Sequence, residues 1–348
     1  MVATCLARPR PGTSPLEAAF PGAGFPGAVV LGVALLGAAA LACTGSARAR
    51  GPDCTTMAAG CADAGASGEA DAGSPPSGSV GPAGGTVDRL WFATTGDTRP
   101  GSCDATDQYP QATISTIAAS MKALAVQFAL DLGDHMYVCN QSFAEATQQM
   151  GFYTAAVAQG PATWFMTMGN HECGSYNRGT GGSNGCFDAS ADANFHAYMA
   201  ALGRPRPYYA VDIGTSRGLA RIVSIADDAW DAAQAAWLEQ TLADADLHAK
   251  YTIVARHHPV AGSRTGSGDV VATIERHKYT LVLTAHVHAY RHGTDHGGRA
   301  AIIGLGGAPG VMPPGFATVL QNTDGSLTFT LRDATGNPVK AAWSVQPQ

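Results

Sequence analysis

Six short apolar runs constrain this 348-residue chain more than any other feature: Leu90–Thr95, Val126–Leu132, Thr163–Met168, Ala220–Ile225, Tyr251–Ala255 and Tyr279–Thr284. Each has strand rather than helix length, and each is mostly apolar instead of alternating with polar residues, as a strand covered on both faces requires. Between them, Ile114, Ile117, Met121 and Leu124 fall at helical spacing behind Pro110, a favoured first-turn residue, and Ala235, Leu238 and Leu242 mark a second helix. Strands alternating with helices predict an α/β fold and argue against an all-β one. After Ala300, the turn residues Asp324-Gly325 and Thr335-Gly336-Asn337 separate alternating segments, which predicts terminal β-hairpins.

The front of the chain has a different character. Arg8 and Arg10 precede an uncharged apolar stretch, Ala28–Ala42. It is too short to span a hydrocarbon core of about 30 Å and reads as the core of a signal peptide. Residues 1–43 end in Ala40-Leu41-Ala42-Cys43, which resembles a bacterial lipobox; acylation of Cys43 would anchor the protein to a membrane face. Ala47-Arg48-Ala49 offers a rival cut that would release a soluble periplasmic or extracellular protein. Residues 44–87 are mostly Ala, Gly, Ser, Pro and Thr, with few large side chains to offset the entropy of ordering, and are expected to form a disordered tether. The folded domain is expected over 88–348.

Composition narrows the function. Charged residues are 14% of the chain, the formal net charge is −6, and only four of the 21 basic residues are lysines, with no clustered stripe of them. That excludes nucleic acid as a partner. Of eight cysteines, Cys5 lies in the signal and Cys43 at the anchor, which leaves six, an even number suited to an oxidising compartment. The expected pairs are Cys54–Cys61, Cys103–Cys139 and Cys173–Cys186, although spacing alone does not fix connectivity.

The residues just beyond the strands carry the chemistry, because ligands in α/β sheets gather outside the carboxyl ends of strands. Gly96-Asp97-Thr98-Arg99 comes after the first run, Gly133-Asp134-His135-Met136-Tyr137 after the second, and Gly169-Asn170-His171-Glu172 after the third. Arg256-His257-His258-Pro259 and Ala285-His286-Val287-His288 come after the last two. An Asp after a Gly is ordinarily a turn or a cap, and a lone His-x-His is commonly a surface pair. Five such blocks behind five strands are not explained block by block.

The order of the blocks resembles the calcineurin-like metallophosphoesterases: an Asp block, GDxx, GNH[D/E], a later His and GHxH, here over about Leu90–Tyr290, with Gln234–Leu242 similar to the helix that sits between the GNHE and later His blocks. Arg99 stands where the family commonly has a His, and Tyr137 lies three residues after Asp134. Both details resemble the purple acid phosphatase branch, in which a tyrosine replaces that His as a ligand. The resemblance implies a four-layer α/β/β/α sandwich with mixed sheets. It implies two metal ions, one held by Asp97, Asp134, Tyr137 and His288, the other by Asn170, His257 and His286, with Asp134 bridging. Hard oxygen and imidazole donors suit iron paired with zinc, manganese or a second iron.

The activity so implied is hydrolysis of small phosphomonoesters by a metal-bound hydroxide, outside the cytoplasm. His171 would neutralise phosphoryl charge or protonate the leaving oxygen, and Glu172 would orient it. Arg99 would grip phosphate oxygens, and His258 would line the cleft or orient its neighbour. The alternatives are a phosphodiesterase acting on nucleotides or lipid head groups, and a non-catalytic metal-binding surface lipoprotein. Ala285 departs from the family's glycine and is expected to crowd the backbone before His286. The loop from Cys173 to Cys186 is expected to overhang the cleft.

Overall fold

A computed structural model describes residues 76–173, 193–259, 267–310 and 312–348. The chain opens with a hairpin, β1 (Gly78–Gly81) and β2 (Gly84–Val87), followed by β3 (Trp91–Thr95), α1 (Gln111–Ala123), β4 (Phe128–Asp131), α2 (Phe143–Val157), β5 (Trp164–Met166) and α3 (Ala193–Leu202). Next come β6 (Tyr209–Thr215), β7 (Gly218–Ser224), α4 (Ala232–His248), β8 (Ala249–Ala255), α5 (Ser267–Glu275) and β9 (Leu281–Thr284). The remaining elements are strands: β10 (Tyr290–His292), β11 (Ala300–Ile303), β12 (Gly315–Gln321), β13 (Leu327–Asp333) and β14 (Trp343–Val345).

The strands form two mixed sheets, one ordered β1-β2-β6-β7-β8-β9-β11-β10 and the other β14-β13-β12-β3-β4-β5. All six apolar runs are strands, with their ends moved by a residue or two. The sheets face each other across one apolar filling, to which the second sheet gives Phe92, Phe128, Leu130, Phe165, Val319 and Phe329 and the first gives Val211, Ile222, Ile253, Leu281 and Leu283. Phe92 stacks on Phe128 with ring centroids 5.0 Å apart, and Phe165 meets Phe128 edge-on at 5.6 Å. Each such side chain, fully withdrawn from water, contributes about 1.5–3 kcal/mol.

The opposite faces of the sheets are covered by helices, because the strands are apolar on both sides. Ile117 and Met121 of α1 pack with Ala93 and Ala129, while Leu238 and Leu242 of α4 and Val270 and Ile274 of α5 pack with Val223, Val254 and Val282. Helix, sheet, sheet, helix is the expected four-layer order. Asp231 caps α4 by accepting from the Gln234 backbone N–H at 2.7 Å. The Asp324-Gly325 turn joins β12 to β13, as expected, with Gly325 at φ 91°.

The tether boundary is corrected. Residues 78–87 form the β1–β2 hairpin, and β2 pairs with β6. Backbone pairing needs no large side chains, and the two valines present, Val80 and Val87, are buried in the inter-sheet core. Helix α2 and strand β6 have no counterpart in the sequence reading. Strand β6 alternates buried and exposed residues instead of running continuously apolar, and Phe143 at the head of α2 is exposed. Cys103 and Cys139 form a disulfide, as expected. Cys173 is also disulfide-bonded; Cys186, Cys54–Cys61, the loop from Cys173 to Cys186, the signal and the lipobox lie outside the described residues. Among the described residues no helix is long and apolar enough to cross a membrane.

Candidate metal centre

Strands β3, β4 and β5 are parallel in one sheet, and β7, β8 and β9 are parallel in the other. Their carboxyl ends therefore deliver Asp97, Asp134 and Asn170 from one slab and His257, His286 and His288 from the other. Two groups of donors result. One ligand atom each from Asp134, His257 and His286 lies within 4.8 Å of the others, and the same holds for Asp97, Asp134 and His288. Asp134 belongs to both.

The turns that make this possible are strained. Asp97 (φ 60°), Asp134 (62°), His286 (69°) and His288 (48°) all adopt left-handed backbone, which residues with a side chain rarely do. Gly169 is required for another reason. A Cβ there would collide with Asp134 Oδ1 and with the Asp134 amide nitrogen, so only glycine lets the two turns approach. The methyl of Ala285 is accommodated rather than crowding the backbone: it is buried against Gly96, whose missing side chain leaves the space.

The donors point their acceptor atoms inward. His257 Nδ1 donates to the Leu132 carbonyl at 2.7 Å, which turns Nε2 toward Asp134 Oδ1 (3.3 Å), Asn170 Oδ1 (3.2 Å) and His286 Nδ1 (3.3 Å). His286 Nδ1 lies 2.9 Å from the same Asn170 oxygen. His288 Nδ1 donates to the Pro309 carbonyl at 2.7 Å, leaving Nε2 3.4 Å from Asp97 Oδ1. Both Asp97 oxygens are buried without a hydrogen-bond partner. An unpartnered buried carboxylate beside an imidazole lone pair is costly unless a cation sits between them. This donor set fits two metal ions.

The electrostatics agree. Burial raises the Asp97 pKa, an effect that His288 and His257 only partly offset. For Asp134 burial is outweighed by His257, His171 and Arg99, which hold the carboxyl well below its usual range. Burial disfavours a charged His257, but Asp134 and Asp97 overcome it and push its pKa to about 10. A cation bound there would compete with a proton for the same nitrogen.

The other expected residues are brought to the same rim. His171 donates its backbone N–H to Asp134 Oδ1 at 3.0 Å, its ring Nε2 lies 3.7 Å from Asp134 Oδ2, and burial lowers its pKa to about 4. Tyr137 is half-buried, its ring 4.2 Å from that of His171 and under the Arg99 guanidinium at 4.6 Å. Arg99 Nε reaches Asp134 Oδ2 at 3.4 Å.

One expected contact is replaced, and one of two alternatives is left. Glu172 does not orient His171. Its carboxylate accepts the backbone N–H groups of Asp134 (2.9 Å), His135 (2.5 Å) and Gly169 (2.7 Å), and so ties the second block to the third. The 3-10 turn Asn170–Glu172 aims the carboxylate inward at those amides, while the His171 carbonyl is held by Asn194 Nδ2 at 2.9 Å. His258 does not line the cleft: it is fully buried, its Nε2 is 2.7 Å from Asp228 Oδ2, and its ring packs edge-on against His286 at 4.4 Å. That leaves the alternative in which it packs against its neighbour.

Asp227 and Asp228 were missed. They come directly behind the fourth run, as the other blocks do behind theirs, and the same signal would have found them. Asp227 Oδ2 takes the buried Arg256 Nε and the His258 backbone N–H, each at 3.1 Å. Beside His286 opens a cavity of about 750 Å³ whose walls include Tyr290, Arg291, His292 and Lys340. His292 stacks on Trp343 there, with centroids 3.7 Å apart.

Residues 91–290 match the sequence pattern of the calcineurin-like phosphoesterases. The chain belongs to that family. Among solved structures, this calcineurin-like phosphoesterase is similar to the purple acid phosphatase PPD1 from yellow lupin (Lupinus luteus) seeds, at 16% identity and a TM-score of 0.57; the match covers 74% of this chain and 54% of that one, about half its length. It is also similar to GAP50, the anchor in the inner membrane complex of Plasmodium, at 13% identity and a TM-score of 0.53, covering 75% and 89%. At such identities the likeness is one of fold. No curated protein matches this calcineurin-like phosphoesterase in overall sequence.

Proposed function

We propose that the chain is a binuclear-metal phosphomonoesterase of the purple acid phosphatase type, acting outside the cytoplasm. The observation that carries this is the pair of donor groups sharing Asp134, one of them containing a buried carboxylate with no partner. Asp97, Asp134, Tyr137 and His288 would hold one ion and Asp134, Asn170, His257 and His286 the other, with iron and a second iron, zinc or manganese suiting these donors. When bound, such a pair supplies Lewis acidity and lowers the pKa of water for in-line displacement at phosphorus.

The chain's own residues do the rest. The Leu132 and Pro309 carbonyls fix the ring orientations of His257 and His288. His171, beside Asp134, delivers a proton to the leaving oxygen; its low pKa places the proton-bearing form in acidic medium. The planar fork of Arg99 grips phosphate oxygens. Glu172 and the Asp228–His258 pair hold the ligand-bearing turns in place, and the cavity beside His286 gives room for the alcohol part of the ester. The Cys103–Cys139 disulfide supports export, whether through a lipid on Cys43 or as a soluble protein.

The test is turnover of nitrophenyl phosphate against bis-nitrophenyl phosphate, with elemental analysis of the purified protein. Preference for the monoester with two cations per chain is expected. Preference for the diester would make it a phosphodiesterase, and bound metal without turnover would make it a binding protein.

A further inference from the structure

Arg99 departs from the histidine common at its position, and its contacts give that departure a consequence. The guanidinium does not face solvent. Its Nε lies 3.4 Å from Asp134 Oδ2, Nη2 donates to His288 Nε2 at 3.2 Å, and Nη1 donates to the Pro100 carbonyl at 2.9 Å, with the ring of Tyr137 beneath it. An arginine side chain can only donate, so His288 Nε2 offers it a lone pair, the same lone pair that would ligate a metal. Two donors of the Asp97–Asp134–His288 group are thus engaged by a fixed positive charge. On the other side of the shared Asp134, it is Asp134 Oδ1 rather than Oδ2 that faces His257, and Asn170, His257 and His286 face one another at 2.9–3.3 Å.

We propose that Arg99 is an internal competitor for the first cation, so that the two sites fill in order: the Asn170 site first and tightly, the Asp97 site second and weakly, with displacement of the guanidinium. This rests on the two-cation reading above and goes beyond it, because Arg99 sets a fixed positive charge against one of the two donor groups. Displaced from Asp134 and His288, the same guanidinium is freed at the rim of the filled site, which couples occupancy of that site to the availability of the phosphate-gripping group.

Two substitutions test it on full-length protein stripped with chelator and titrated with Mn²⁺ by calorimetry at one fixed pH. Wild type should bind in two resolved steps, the second at least about tenfold weaker, as expected of a full positive charge a few ångströms from an incoming dication. Arg99→Met should tighten the second step by at least about tenfold and leave the first unchanged, the unchanged step doubling as evidence that the variant is folded. Asp97→Asn should remove the weak step and keep the tight one. Two equal steps in wild type, a second step in Arg99→Met that is unchanged or weaker, or loss of the tight step in Asp97→Asn would each overturn the proposal. Wild type that takes up no cation at all would instead refute the phosphoesterase reading on which it stands.

Discussion

Glu172→Gln removes one charge from the centre of the site without changing its shape. The carboxylate accepts three backbone N–H groups, from Asp134, His135 and Gly169, and lies 3.3 Å from His135 Nδ1, with all of these groups buried. A hydrogen bond to a charged acceptor is worth about 1.5–3 kcal/mol. Glutamine keeps one acceptor oxygen but turns an NH₂ against at least one backbone donor. It also leaves the imidazolium of His135 with Asp131 alone, at 3.1 Å. Breaking one partner of a buried ion pair costs about 3–5 kcal/mol, and that range is the expected loss of unfolding free energy, measured in urea.

The pH dependence gives a second readout. Burial opposes the charged form of His135, but Asp131 and Glu172 overcome it and push its pKa up to about 10. Because the folded value lies above the ordinary one of 6.5, this contribution is fully present below about pH 6.5 and fades as the pH climbs toward about 10. In Glu172→Gln the alkaline loss should be smaller and complete at lower pH. A variant within about 1 kcal/mol of wild type, with an unchanged alkaline limb and full metal content, would refute the idea that this carboxylate ties the turns together.

His171→Ala should lower turnover about 10²–10⁴-fold while elemental analysis finds the metal content unchanged, since that ring is not itself one of the proposed donors. Tyr137→Phe should abolish any violet absorbance of the iron-loaded protein; a colourless wild type containing ferric iron would show that the phenol is not a ligand. Reducing the Cys103–Cys139 bridge, or replacing both cysteines by Ser, should cost about 3–4 kcal/mol in denaturant, given its 36-residue separation.

How much of this was legible in the sequence depends on the kind of signal. Strands buried on both faces are written as continuous apolar runs, and β3, β4, β5, β7, β8 and β9 were readable for that reason. The ligand blocks were readable because each sits directly behind its strand. Contacts made across the fold were not. Nothing near Glu172 in sequence says that it accepts amides from Asp134 and His135, since that depends on how closely Gly169 lets two turns approach. Asp228 reaches His258 only because β7 and β8 are neighbours in one sheet. The β1–β2 hairpin was hidden because edge pairing uses backbone groups that composition does not register.

The donors arrive from two slabs packed together across an apolar filling, so the thickness of that filling acts as a caliper on the chemistry. Trimming Phe128 or Ile253, both inside that filling, would let the slabs settle closer or shear. The gap across which Asn170 meets His257 would change before the protein lost its fold. Catalytic failure should therefore precede melting when such core variants are warmed, because the interior of this sandwich sets spacing as well as stability.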